Sequence, residues 1–184
     1  MIDFNFSVKL GPLRHENSKR YFDSRNDWRI WKWCRQFDLL TEGNHDIWLE
    51  RVQQGHKTRM YEVMTNVKDK EFPEPVGVCG FTDIDHVNQR AEFSLYIFPE
   101  HHGFGYGMNA LETLFKHGFQ NLNFNRIWGE SFDGNPAIKM FESLGMSKEG
   151  TRKDFYFREG KFIDAHLFSI GRKEWSRRSS PVSA

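Results

Sequence analysis

Between Pro99 and Leu114 the sequence reads PEHHGFGYGMNALETL, with glycines at every second position, Gly103, Gly105 and Gly107, ahead of a segment with helical apolar spacing. Glycine admits backbone conformations that other residues resist and lets a ligand approach the main chain closely. A helix start leaves its first amide N–H groups without intrahelical partners, at the positive end of the helix dipole. Together these features make an anion site suited to phosphate oxygens. A flexible loop that happens to precede a helix is the plainer reading, because a glycine motif alone is weak. Just upstream, Glu92, Ser94, Tyr96 and Phe98 share one face of an alternating segment, which sets a carboxylate and a phenol on a face that can do chemistry. His101 and His102 fall in the turn itself, where contact with ligand or solvent is expected; adjacent histidines without a third ligand make a poor metal site, so no metal is expected.

The elements that position this turn follow from periodicity. Phe4 to Leu10 alternates as a first strand that Gly11-Pro12 ends. Arg14 to Phe37 has helical spacing, with Trp28, Trp31 and Cys34 three apart and Ile30 and Trp33 widening the stripe. These tryptophans suit either the core or the wall of a pocket. Thr41 or Asn44 caps a further helix through Val52, and Gly55 stops it. Arg59 to Val67 reads as a second strand, Asp69 to Pro75 as a charged turn, GVCGFTDID as a third strand and RAEFSLYIF as a fourth, closed by Pro99. The short links imply an antiparallel meander. Leu111, Leu114, Phe115, Phe119 and Leu122 make the apolar stripe of the helix after the glycines. The fifth strand, Asn125 to Phe132, follows a helical crossover and should pair parallel to the fourth. Asn135-Pro136 then starts a short helix carrying Ala137, Phe141 and Leu144, and a β-hairpin from Asp154 to Ile170 turns at Glu159-Gly160. The predicted fold is α+β: one domain over residues 1–171 with a mixed, mostly antiparallel sheet flanked by helices, and a basic, flexible tail over 172–184.

Length and charge narrow the function. A chain of 184 residues suits one well-buried core. With 26 basic against 25 acidic residues, no global field favours nucleic acid or a membrane surface as partner. No apolar run approaches the roughly 20 residues that span a bilayer, and MIDFNFSVKL lacks the basic start and apolar core of a signal peptide. A cytoplasmic protein is expected, with a homodimer among the assemblies open to it. Cys34 and Cys79 form no CxxC pair and read as free thiols.

No Gly-Lys-Ser/Thr follows the glycines, so the Walker loop is absent. Gly105, Gly107 and Ala110 fit a dinucleotide fingerprint with Glu130 beyond it, but that fold opens on parallel strands, whereas here a meander precedes the turn. An NAD-dependent oxidoreductase is therefore the weaker alternative. The order meander, glycine turn, helix, strand, Asn-capped helix and hairpin resembles the GNAT superfamily of acyl-CoA N-acyltransferases over almost the whole chain. The family's Gln/Arg-x-x-Gly-x-Gly/Ala signature falls on His102 to Gly107, with His102 in the first position. RAEF at Arg90 to Phe93, PExxGxGY at Pro99 to Tyr106, and Glu149, Gly150, Asp154, Gly160 and Asp164 are similar to the ribosomal-protein-alanine and spermidine N-acetyltransferase branch.

The resemblance implies acetyl-CoA as cofactor. Its pantetheine arm would lie along Tyr96, Ile97 and Phe98, and its diphosphate against His102, Gly103, Phe104, Gly105, Tyr106, Gly107 and Met108. Asn135 and Phe141 would border it, and the fourth and fifth strands would splay apart to admit it. The expected reaction is direct attack of a primary amine on the thioester. An amine of pKa near 10 must first lose a proton, and a base contributes on the order of 10² to 10⁴ in rate. Glu92 is the candidate base or amine-binding group, unless it is a solvated strand carboxylate paired with Arg90. Phe141 stands where many relatives carry a proton-donating Tyr; Tyr96, Tyr106 and Tyr156 are possible substitutes. For the acceptor, a polyamine, an amino sugar or a protein N-terminus, the expected binding residues are Trp28, Trp31, Trp33, Asp83 and Asp85, the aspartates alternatively forming a polar hairpin turn. A non-catalytic acyl-CoA-binding module is the rival, motivated by Phe141 and His102.

Overall fold

The computed structural model describes Ile2 and residues 8–65 and 73–179. Its strands are β1 (Val8–Pro12), β2 (Arg59–Thr65), β3 (Pro75–Asp85), β4 (Arg90–Ile97), β5 (Arg126–Phe132), β6 (Ser147–Arg158) and β7 (Lys161–Gly171). The helices are α1 (Ser18–Asn26), α2 (Trp28–Trp31), α3 (Glu42–Gln54), α4 (Tyr106–Gln120), α5 (Ala137–Ser143) and α6 (Arg172–Ser179). One sheet runs in the order β1-β2-β3-β4-β5-β7-β6. Strands β2, β3 and β4 form the antiparallel meander that short links demand, β1 adds antiparallel to β2 across the segment that carries α1 to α3, and β4 and β5, joined through α4, pair in parallel.

Alternation on the strands divides the core between two faces. Leu111, Leu114 and Phe115 of α4 are fully buried with Val8, Leu10, Val63, Phe81 and Ile127 on one side. On the other, Tyr21 of α1 and Leu49 of α3 pack with Val78 and Phe98. Glu62, fully buried on β2, fastens α1 to the sheet: it accepts from Arg14 Nε at 2.9 Å, from Asn17 Nδ2 at 2.5 Å and from the Tyr21 hydroxyl. A carboxylate is tolerated there because its lone pairs are used.

Several elements differ from the sequence expectations. Strand β1 continues through Gly11 and Pro12, paired with Glu62 and Tyr61, because an edge strand can accommodate a residue that donates no hydrogen bond. The Phe4 to Phe6 part of the expected strand lies outside the described residues, as do residues 66–72 and 180–184. The single helix expected over Arg14 to Phe37 is broken at Asp27. Its extended backbone ends α1, and its side chain accepts from the Arg29 N–H to start α2 afresh. The segment expected as a flexible tail contains α6, whose Trp175 is buried 5.9 Å from Phe115 and 5.8 Å from Phe119, centroid to centroid. One aromatic in a basic stretch gives no periodic signal, yet it suffices to dock a two-turn helix.

Trp175→Ala should therefore lower stability in urea unfolding by about 3 kcal/mol, whereas a solvated tail predicts no change. A second expectation concerns pH. His117, buried in α4 near the Tyr61 hydroxyl and Asn121 Nδ2, has its pKa lowered to about 4, chiefly by burial. An unfolded imidazole titrates near 6.5, so between about pH 4 and 6.5 the folded state binds fewer protons than the unfolded chain. Stability falls as pH drops through that window, by up to about 1.4 kcal/mol per pH unit. Urea unfolding at pH 7 and pH 5 should show a smaller loss in His117→Gln than in the parent, with His45, also lowered by burial, keeping its share.

Candidate active site

Strands β4 and β5 pair only from Arg90 to Glu92 against Arg126 to Trp128. At the next position the Phe93 ring lies over Gly129, where a Cβ would come within 2.3 Å of it. The same ring packs edge-on against Phe115 and Phe141. Gly129 lets this aromatic wedge sit where the two strands part. A cleft of about 880 Å³ opens there, walled by both strands, the glycine turn, α5 and residues from α1 through Gln36.

The glycine turn forms one end of the cleft. Gly103 and Gly105 have φ of 85° and 77°, and a Cβ on either would meet nothing, so conformation and not space calls for glycine. Gly105 is the residue before the first turn of α4, and no side chain caps the helix. The amides of Tyr106, Gly107 and Met108 are thus at the cleft with the positive end of a 15-residue helix behind them. The two histidines brace the turn: His102 Nε2 donates to the Ile97 carbonyl at 2.8 Å, and His101 stands 3.1 Å from Arg20 Nη2 and edge-on to Tyr106. Their Nε2 atoms are engaged within the fold.

Of the other residues expected at a cofactor, Tyr96, Ile97, Asn135 and Phe141 line the cleft, and Asn135 Oδ1 accepts from the Ala137 N–H at 3.0 Å, two residues on, where α5 begins. Phe98, on the same face as Tyr96 but one residue past the end of β4, does not line it; its ring is fully buried under α1 beside Tyr21. Phe104 is exposed and stacks on Tyr106 outside the cleft. Phe141 is held between Phe93 and Phe168. The Tyr96 hydroxyl is buried without a hydrogen-bond partner among the described residues, and burial raises its pKa. Tyr156 is bonded to Glu130 at 2.7 Å, and burial raises its pKa likewise.

Glu92 is buried on the cleft wall. Its Oε1 lies 2.7 Å from Arg35 Nη2 and its Oε2 accepts from Thr82 Oγ1 at 3.2 Å. The partner is therefore Arg35; Arg90 pairs with Asp85 instead. Asp83 and Asp85 stand apart from the cleft. Asp85 accepts from both the backbone and the side chain of Asn88, which with Arg90 lowers its pKa, and Asp83 has φ of 46° at the irregular β3–β4 hairpin. Among the three tryptophans only Trp33 lines the cleft. The break at Asp27 turns Trp28 outward, 57% exposed with Lys32 Nζ 3.9 Å above its ring, and Trp31 packs on Phe37.

Sequence reasoning missed four residues here. Glu130 on β5 has a side chain only 1% exposed, accepting from Tyr156 and from Arg152 at 2.6 Å. Its two-residue spacing from Trp128 on a strand was the available signal. Ser131 beside it is buried, its Oγ unpartnered among the described residues. Arg25 and Arg35 come from α1 and from the irregular segment after α2, where no periodicity marks a cleft-facing side.

The sequence profile described as an acetyltransferase (GNAT) domain matches residues 8–147. The chain is 31% identical to spermidine N(1)-acetyltransferase of Escherichia coli K12 over 172 residues, covering 92% of this chain and 88% of that one. It is 38% identical over 108 residues to an uncharacterized N-acetyltransferase, p20, of Bacillus licheniformis, covering 58% of this chain. Its match spans 61% of the length of the Bacillus licheniformis protein and likewise 61% of a spermidine N(1)-acetyltransferase of Vibrio cholerae, to which it is 27% identical over 56% of its own length. In fold it resembles a Vibrio cholerae spermidine N-acetyltransferase solved with CoA and spermine, with a TM-score of 0.84, 19% identity, and coverage of 92% of this chain and 98% of that one.

Proposed function

The chain belongs to the acetyltransferase (GNAT) domain family, and on that premise we propose that it transfers an acetyl group from acetyl-CoA to a primary amine within the cleft between β4 and β5. One observation carries the reading: the uncapped start of α4 and the stretch of β4 left unpaired by β5 border the same cleft. The residues fit coenzyme A. Amides at a helix start with open left-handed glycines ahead of them suit a diphosphate, and strand residues that β5 does not pair suit an extended amide-bearing arm.

Acetyl-CoA supplies the acyl group as an activated thioester. The chain's part is to hold the amine, take its proton and meet the departing sulfur. Glu92, fixed by Arg35 and Thr82, is placed to accept the ammonium proton directly or through water. Phe141 has no proton to give. A thiol of pKa about 8.5 can leave as thiolate, and the Ser131 hydroxyl, unpartnered on the same cleft, is a hydrogen-bond donor for it. Phe141 is also the observation that favours a silent acyl-CoA-binding module. That reading requires coenzyme A binding with no thiol release on a panel of amines and N-terminal peptides, whereas acetyl transfer requires amine-dependent release.

Gly105→Ala should raise the Kd of coenzyme A about tenfold in calorimetry, since a left-handed Cβ costs about 1–2 kcal/mol and the strain falls on the first turn of α4. Glu92→Gln should lower kcat/KM at least tenfold with the Kd of coenzyme A unchanged. The deficit should shrink as pH rises toward the amine pKa, because bulk solvent then does the deprotonation. Unchanged activity would remove Glu92 from the mechanism.

A further inference from the structure

We propose that the acceptor carries an anionic group, a carboxylate or a phosphate, besides the amine that reacts, and that Arg25 binds it; this rests on the acetyl-transfer reading above. The cleft is unsuited to a polycation because its carboxylates are already engaged. Glu92 holds Arg35 at 2.7 Å, and Glu130 holds Arg152 at 2.6 Å together with the Tyr156 hydroxyl. A polyamine would have to displace charge-assisted bonds of ordinary length, at a cost that its own ammonium groups could at best restore.

The arginines on the same wall are not equally satisfied. Arg35 is paired as above, and Arg29 is paired with Asp27 at 2.6 Å. Arg25 is half-buried on α1 and, among the described residues, has no carboxylate within ion-pair distance. Its guanidinium stands 5.8 Å from the centroid of the Tyr96 ring, and Nη1 donates to Cys34 Sγ, a weak acceptor. A planar group with five donors, partly withdrawn from water and given a ring and a sulfur as neighbours, is matched by an oxyanion. Both carboxylate and phosphate accept two parallel N–H bonds from such a group. Arg25 and Glu92 line one cleft, so an acceptor whose amine reacts beside Glu92 can set its anion against Arg25, whose charge no carboxylate of the described residues pairs.

Matched amines test this: 4-aminobutyrate and O-phosphoethanolamine as the carboxylate and phosphate arms, with butylamine and spermidine as controls. Thiol release from acetyl-CoA should give kcat/KM at least tenfold higher for one anionic arm than for butylamine and spermidine. Arg25→Gln should erase that preference through KM, bringing the anionic amines to the level of butylamine with the Kd of coenzyme A unaltered, and Arg25→Lys should restore part of it. Faster release with spermidine than with either anionic amine would overturn the proposal and leave acetyl transfer standing. So would a raised coenzyme A Kd in Arg25→Gln, which would assign the arginine to the cofactor. Calorimetry of the anionic amines with the coenzyme A complex reads the site without turnover. Arg25-dependent binding with no thiol release would uphold the anion site and overturn acetyl transfer; no binding of either arm, with spermidine bound, would overturn the anion site.

Discussion

The functional architecture depends on an interruption in backbone pairing. Strands β4 and β5 begin as parallel neighbours and lose contact after Glu92 and Trp128, where the Phe93 ring occupies the space a side chain at position 129 would need. A strand that stops pairing inside a sheet leaves N–H and C=O groups that must be satisfied by something else. In this molecule one of them is met from within, since His102 reaches back to the Ile97 carbonyl. The remainder of that edge faces a cleft. The glycine turn closes the same opening at the end of β4, so the helix-start amides and the unpaired strand address a single volume.

Electrostatics then distributes the cleft between its two ends. At the turn, the α4 start supplies partial positive charge without a side chain. Along β4 and β5, Glu92 and Glu130 supply carboxylates, each fixed by an arginine contributed from elsewhere in the chain. Buried carboxylates without such partners would be expensive. With them, each holds one orientation on the cleft wall. The break between α1 and α2 serves the same end. Asp27 caps α2 and binds Arg29 bidentately, which holds its carboxyl at about 2, well below the usual carboxylate range. The chain turned by this break brings Trp33, Cys34 and Arg35 to the cleft.

The relation between Phe141 and the rest of the site is also one of packing. An aromatic without a hydroxyl sits between Phe93 and Phe168, continuing the hydrophobic wedge. The polar groups on that side belong to β5: the backbone beyond Trp128 and Ser131, whose hydroxyl is enclosed without a partner among the described residues. The tail contributes at the other end of α4, where Trp175 seals Phe115 and Phe119 from solvent.

Much of this was legible in the sequence. Strand alternation placed Glu92 and Tyr96 together and opposite Phe93, short links determined an antiparallel meander, and the crossover through α4 determined the one parallel pair. The glycines at 103 and 105 marked left-handed turns, and Thr41 and Asn135 marked helix starts. These are local properties, in which a residue's neighbours along the chain fix its backbone and the side it faces. What only the tertiary structure decided is which distant groups meet. Glu92 acquired Arg35 in place of the nearby Arg90, Glu130 acquired Arg152 and Tyr156, and Asp83 and Asp85 stayed at their hairpin. Two of the three tryptophans turned away because a single capping aspartate restarted the helix out of phase. Ion pairs and hydrogen bonds reach only a few ångströms, so pairs far apart in sequence are set by how irregular segments cross the sheet, and spacing along the chain carries no record of that path.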